Sequence, residues 1–303
     1  MGTSKRASVK KNVSSKIKHI GLVKNDSWLE PYESAIQGRH DHAIWRLNQL
    51  TNNGKQSLSD FASGYLYFGL HKIEKGGWVL REWAPNATEI YLIGDFNDWK
   101  ESDKYKMKRV GTDGNWEIKL PKSSLKHQQL YKLSVHWNGG QGERIPSYAN
   151  RVVQDEVTKI FSAQVWAPET EYVWKKKKFK PDTSPLMIYE CHIGMGQDAE
   201  KVGTYKEFKD NVLPRIIKDG YNCLQIMAIA EHPYYGSFGY HVSNFFAPSS
   251  RFGTPEELKE LVDEAHSKGL AVIMDIVHSH AVKNEMEGLG NFAGDPYQYF
   301  NQG

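Results

Sequence analysis

The sequence predicts a multidomain chain: a helical segment, then an all-β sandwich of the immunoglobulin-like kind, then an α/β unit. Three observations carry that expectation. Between Trp28 and Leu50 the apolar residues Tyr32, Ile36, Ile44, Leu47 and Leu50 recur near helical spacing. From Ser59 to Pro168 the texture turns to short β-rich runs, YLYFGLHK, GWVLREWAPNA, EIYLIGDF, GNWEIKLP and QLYKLSVHW, divided by turn signals. Beyond Leu186, strand, helix, strand, helix and strand patterns alternate in the order MIYE, TYKEFKDNVLPRIIKDG, CLQIMAI, TPEELKELVDEAHSKG and AVIMDIV, the grammar of a parallel α/β unit.

Residues 1–27 form a basic tail expected to be disordered, since its first 25 positions hold seven Lys/Arg and no acid. The helical segment is assigned to 28–58, its main helix ending before Thr51-Asn52-Asn53-Gly54. The sandwich is assigned to 59–168, with Thr112 to Asn115 as a hairpin loop and with Trp83 and Trp116 in its core. Residues 169–185 read as a linker, with Lys175 to Lys178 as a solvated run and Pro181 and Pro185 as breakers. The α/β unit takes 186–303. Its second helix shows both ends: Thr254 as N-cap, Pro255 at the first helical position, Glu257 completing a capping box, and Lys268-Gly269 as the stop. The stripe Leu258, Leu261, Val262 and Ala265 must pack on a sheet, and the strand that follows, Ala271 to Val277, is read as central.

Lys+Arg 39 against Asp+Glu 36 leaves a net charge of +3, which argues against a nucleic-acid partner. No apolar run is long enough to span a membrane and no secretory h-region opens the chain, so a membrane partner is not expected. Cys191 and Cys223 sit in apolar runs and read as buried reduced thiols, which fits the cytoplasm, or an organelle if the basic N-terminus is a transit peptide. Nine Trp and sixteen Tyr supply flat rings suited to sugar faces, although large cores use them too.

The chemistry gathers late in the chain. Asp275 interrupts an otherwise apolar strand and is followed at once by His278, Ser279 and His280. A buried carboxylate needs a partner or a function, and in parallel α/β folds ligand-binding groups collect where strands end. Asp275-Ile276-Val277-His278-Ser279-His280 resembles the first conserved region of the α-amylase superfamily, which usually has Asn where this chain has Ser279. That departure, and the segment AEHPYYGSFGYHVSNFFAPSSRFGTPEEL, are similar to 1,4-α-glucan branching enzymes of the eukaryotic type. REWAPNATEIYLIGDFNDW resembles the carbohydrate-binding module that precedes the barrel in branching enzymes and isoamylases, and WLEPYESAI resembles their N-terminal helical segment.

The resemblance implies a (β/α)8 TIM barrel for the α/β unit and a retaining double displacement that builds α-1,6 branches on an α-glucan such as glycogen, starch or amylose. It implies that Tyr240 stacks on the sugar at the cleaved bond, that His280 bonds its hydroxyls and that Asp275 holds the groups around them. Trp99 and Lys132 match glucan-binding positions of related modules. His241 and His232 are further candidates for sugar contacts, and His192 is expected to support the barrel floor or rim. No cofactor is implied, and Asp275, His278 and His280 lack a further ligand at metal-binding spacing. A (β/α)8 barrel takes about 250 residues, and Leu186 to Gly303 is less than half of that. The barrel is therefore expected to be truncated about three strands in, without the nucleophilic Asp and acid/base Glu of the later conserved regions, and the chain alone to be inactive. The competing expectation is a non-catalytic glucan-binding protein that works through Trp99 and Lys132.

Overall fold

The structure, a computed structural model, describes residues 21–73, 76–182 and 184–300. Most of the basic tail thus lies outside the described residues; from position 21 on, Leu22–Asn25 forms one helical turn. The chain divides into one unit ending at Gly64 and another beginning at Tyr65. In the first, the Asp26 carboxylate accepts from the Trp28 backbone N–H at 3.1 Å and opens a 3-10 turn over Ser27–Tyr32, which leads into the helix Glu33–Leu50. That helix stops where expected: Asn52, Asn53 and Gly54 all take positive φ, a run that cannot continue a right-handed helix. None of its residues is buried, so the stripe of Tyr32, Ile44 and Leu47 stays exposed. A capping box, Ser57 with Asp60, starts the turn Leu58–Phe61, and Ser63–Leu66 is a 3-10 turn. The first half of YLYFGLHK is therefore not strand.

The second unit opens with the sandwich. Strands β1 (Gly69–Ile73), β2 (Gly77–Trp83), β3 (Ala87–Gly94), β4 (Lys108–Val110), β5 (Asn115–Pro121), β6 (Leu130–Trp137), β7 (Gly140–Arg144), β8 (Val152–Gln154) and β9 (Phe161–Gln164) form two sheets. One has the order β1-β2-β5-β4; the other runs β3-β6-β9-β8, with β7 added to β6, and all pairs are antiparallel. Period-two alternation drives the fold: Trp78 and Leu80 on β2, Ile90 and Leu92 on β3, Trp116, Ile118 and Leu120 on β5, and Tyr131, Leu133 and Val135 on β6 all enter one core. The hairpin between β4 and β5 turns through Gly111 to Gly114, one residue earlier than the sequence places it because Asn115 already pairs with Val110, with both glycines at positive φ.

Trp116 is buried in that core, but Trp83 is not. The parity that turns Trp78 and Leu80 inward turns Trp83 out, where its ring meets Tyr299 edge-on at 5.5 Å and its Nε1–H donates to the Asp113 carbonyl. The inward position beside it belongs to Glu82, which is fully enclosed and accepts from the Ser147 N–H and hydroxyl at 2.7 and 2.6 Å and from the Trp83 N–H at 2.8 Å. Burial pushes its carboxyl up to about 7, against the pull of those donors.

The stretch read as a linker is pinned in place. The buried Asp263 accepts from the Lys175 and Lys176 backbone N–H groups and from the Tyr172 hydroxyl, while the side chains of Lys175 to Lys178 stay in solvent as expected. The α/β part follows with β10 (Ile188–Cys191), β11 (Cys223–Ile226), the antiparallel pair β12 (Ala230–Glu231) and β13 (Asn244–Pro248), and β14 (Ala271–Met274). The parallel sheet has the order β10-β11-β14. Helix Pro255–Ser267 begins with the Thr254/Glu257 capping box, and Leu258, Leu261 and Ala265 bury themselves against the sheet, with Val262 packed beside them. The earlier helix carries Pro214, which has no N–H to give; the chain passes through a five-residue π turn, Phe208–Val212, before Leu213–Lys218.

Two expectations for the last strand need correction. It ends at Met274, so Asp275 follows the strand and is half-buried, not enclosed within it. Among the described residues β14 is also an edge and β11 is the central strand. A helical stripe reports that one sheet face is covered, not how many neighbours a strand has.

Residues after Asp275 return to the sandwich. Leu289, Phe292 and Ala293 join its core, the buried Arg144 donates to the carbonyls of Phe292 and Asn291 at 3.1 and 3.0 Å, and Gln298 and Tyr299 both donate to the Trp83 carbonyl.

Candidate functional site

Tyr240, Asp275, His280 and His241 come together at the C-terminal end of the parallel sheet. The Asp275 N–H donates to the Ile226 carbonyl at 3.0 Å, which ties the residue after β14 to the end of β11. Its Oδ2 accepts the Tyr240 hydroxyl at 2.8 Å. Partial burial, reinforced by this hydrogen bond to a carboxylate, pushes the Tyr240 phenol up to about 12, so it stays a donor. Tyr240 reaches this place through the tight turn before it: Phe238 takes φ of 52° and Gly239 of 90°. A Cβ on Gly239 would fall 1.7 Å from the Ala228 carbonyl oxygen, so only glycine fits there.

His280 Nε2 lies 2.7 Å from the Tyr240 carbonyl oxygen, which can only accept, so Nε2 carries the proton. Nδ1 lies 2.9 Å from the Ser279 hydroxyl, which can pair with it in either direction. The Ser at the position where the wider superfamily has Asn thus orients the imidazole. Both ring nitrogens are occupied by the protein, and a sugar hydroxyl gains His280 only by displacing one of these partners. His241 stands perpendicular to His280 with centroids 6.3 Å apart, and His278 lies over Phe245. A cavity of about 430 Å3 opens beside His280, with Lys283, Asn291 and Phe300 on its walls, a volume within the range of small-molecule sites.

His232 is not part of this group. It is fully buried, its Nδ1 2.9 Å from the Ala230 carbonyl and its Nε2 3.1 Å from Arg251. His192 follows β10 and is buried among the rings of Tyr235, Phe238 and Phe252, and burial lowers its pKa. Sequence reasoning missed Ser279's orienting role and the buried Glu231, whose oxygens accept from Ser249, Ser250 and His232. The only visible signal for Glu231 was a carboxylate beside an apolar run.

Trp99 and Lys132 occupy a second place, on the sandwich. Asp98 and Trp99 both take positive φ, 52° and 59°, costly for a bulky side chain and a mark of an imposed geometry. The Trp99 indole N–H donates to Asp95. Ile93, one residue before the turn leaves β3, pairs in register with Lys132 on β6. The Lys132 ammonium is only 3% exposed and is held by Glu143 at 3.0 Å. Beside it on the outward face of β6, Ser134 and His136 both contact Glu101, so Lys132 belongs to a polar network, not to a free surface.

The family description "Carbohydrate-binding module 48 (Isoamylase N-terminal domain)" matches residues 67–149, and "Alpha amylase, catalytic domain" matches residues 218–288. The chain thus joins a carbohydrate-binding module to part of an α-amylase-type catalytic domain. Proteins named 1,4-alpha-glucan-branching enzyme from Dictyostelium discoideum and Aspergillus oryzae are 43% and 44% identical to it, each over 93% of this chain. The one from Saccharomyces cerevisiae is 42% identical over 301 residues. Over nearly its whole length the chain is similar to part of proteins named 1,4-alpha-glucan-branching enzyme. It spans 42% of the length of the Dictyostelium and Aspergillus relatives. Among solved structures, a putative α-amylase from Salmonella typhimurium superposes with a TM-score of 0.58 at 23% identity, covering 71% of this chain and 33% of that one. A pullulanase from Paenibacillus barengoltzii, in complex with maltohexaose and α-cyclodextrin, gives 0.58 at 21% identity, covering 71% and 38%. At those identities the superpositions speak to the fold.

Proposed function

We propose that this chain supplies the carbohydrate-binding module and the first three strands of a (β/α)8 barrel to a 1,4-α-glucan branching enzyme. The observation that carries the reading is the Tyr240–Asp275–His280 arrangement at the strand ends, where barrel enzymes gather their ligand-binding groups. The substrate is an α-glucan, such as glycogen, starch or amylose. In the reaction a carboxylate attacks the anomeric carbon and displaces the glucan leaving oxygen, which a second carboxyl group protonates. A 6-hydroxyl of an acceptor glucan then takes the glycosyl group, and its proton returns to the second carboxyl group. Tyr240 would offer its ring to the sugar at the cleaved bond. Asp275 would fix the phenol, and His280, oriented by Ser279, would meet the sugar hydroxyls after exchanging one of its present partners. His241 would add a contact at the same rim. The two reacting carboxylates would come from further barrel strands that pair with the free edges of β10 and β14.

A second reading, a non-catalytic glucan-binding protein, draws on the strained turn that presents Trp99 beside the Lys132 network. The test follows amylose by loss of iodine absorbance and by new α-1,6 linkages, using the 303-residue chain alone and mixed with the C-terminal part of a relative. Activity only after mixing is the expected outcome, and Asp275→Asn should lower it at least tenfold. Branching by the chain alone would refute the assignment of both carboxylates to other strands. Binding without activity in either sample would favour the second reading.

A further inference from the structure

The basic run from Lys175 onward faces solvent, yet it is not loose. Lys176, Lys178 and Lys180 line a hollow of about 500 Å3, and His266, Ser267 and Lys268, at the end of helix Pro255–Ser267, form its other side. Lys175 and Lys177 lie outside this lining. Two anchors fix the run to the helix. At one end the buried Asp263 accepts from the Lys175 and Lys176 backbone N–H groups at 2.7 and 2.8 Å. At the other the Phe179 ring stacks on His266, with centroids 4.1 Å apart and planes within 6°. Asp263 and His266 stand one turn apart on the same helix face. Like charges repel, and an untethered segment would spread its ammonium groups apart. The anchors hold them around one hollow instead.

The lining contains no carboxylate, so its field has one sign. Among the described residues Lys176, Lys178 and Lys180 enter no ion pair, and Lys268 has only Glu264, at 3.6 Å. Ammonium groups donate and never accept, which suits phosphoryl oxygens, which only accept. A hollow of this volume falls in the range of small-molecule sites, and neither a nucleic-acid duplex nor a membrane surface could enter it. Its place sets it apart from the reacting sugar: Gly269 and Leu270 lead into the start of β14, whereas Tyr240 and Asp275 meet beyond the other end of that strand. We propose that this hollow binds a small molecule carrying two or more phosphoryl groups, at the end of the parallel sheet opposite the Tyr240–Asp275–His280 arrangement. Nothing in the site requires an α-glucan, so it stands or falls separately from the proposed function.

The test is isothermal titration calorimetry of the 303-residue chain with sodium pyrophosphate, ADP and fructose 1,6-bisphosphate, all at one fixed ionic strength. Saturable binding is expected, and the tighter of the last two identifies the carrier of the phosphoryl groups as nucleoside or sugar. Lys176→Gln/Lys178→Gln should weaken pyrophosphate binding about tenfold, the combined effect of two exposed charge pairs. Lys175→Gln/Lys177→Gln removes the same charge from the same run but outside the hollow, and should weaken it less than about twofold because solvent and salt screen charges that make no contact. All four side chains are exposed, so neither pair of substitutions threatens the fold. Equal weakening by the two pairs would overturn the site in favour of diffuse surface charge. So would the absence of saturable binding to the unsubstituted chain. Inorganic phosphate binding as tightly as pyrophosphate would overturn the requirement for two phosphoryl groups. An RNA oligonucleotide that binds where pyrophosphate does not would overturn the choice of a small ligand.

Discussion

In the sandwich, Leu92, Leu133 and Val135 are wholly enclosed between two sheets, whereas in the parallel sheet Ile188, Ile273 and Met274 are 42%, 37% and 41% exposed. The antiparallel strands close their core locally, each covering the next, and the returning segment with Leu289 and Phe292 completes it. The parallel sheet has helical cover on the side where Tyr189, Leu224 and Val272 lie in register, joined by Leu258 and Leu261 from helix Pro255–Ser267. Its other side, with Ile188, Glu190, Gln225 and Ile273, meets no second layer among the described residues. Parallel sheets are normally covered on both faces. One region therefore holds its stability within itself, and the other presents a surface suited to further strands.

That contrast can be tested by truncating one side chain in each region. Leu133→Ala should cost about 3 kcal/mol, because a fully enclosed leucine leaves a cavity, and urea unfolding followed by tryptophan fluorescence would measure it. A loss below about 1 kcal/mol would mean the sandwich core is looser than its burial indicates.

The next largest effect concerns Glu82, where the sandwich meets Tyr299. Its carboxyl rises from 4.5 in the unfolded chain to about 7 in the fold, so the folded state binds the extra proton between those values. Its contribution is then fully present below pH 4.5 and is lost as pH climbs through about 7, a slope worth about 3 kcal/mol in all. Glu82→Gln should flatten that part of the stability-versus-pH curve. An unchanged slope would show that the four donors around Glu82 outweigh its burial.

The smallest effect is expected on the open face. Ile273→Thr should change stability by less than about 0.5 kcal/mol while raising the concentration at which the chain aggregates, read by light scattering. A cost near that of Leu133→Ala would mean this face is already packed.

Legibility from sequence followed the range of the forces involved. The Thr254 cap, the Thr112 to Asn115 turn and the end of the first helix were readable because each depends on a few neighbouring residues. Tyr240, Asp275 and His280 were singled out by a resemblance, and their hydrogen bonds span 35 and 40 residues of sequence. The inward turn of Glu82 and outward turn of Trp83 were missed because strand parity depends on where pairing begins, and one residue of shift exchanges the faces.

The sequence by itself determined the order of helical, sandwich and α/β segments, since periodicity and turn chemistry are local properties. It also carried the likeness to branching enzymes, through motifs whose residue types are readable without coordinates. Only the tertiary structure decided that Asp263 anchors the supposed linker, that the Tyr240 carbonyl places a His280 proton on Nε2, that β14 stands at an edge, and that Arg151 keeps an unpaired N–H at the junction of sandwich and sheet. Each of these is a statement about which distant groups meet, and a hydrogen bond between segments far apart in the chain leaves no periodic trace in either.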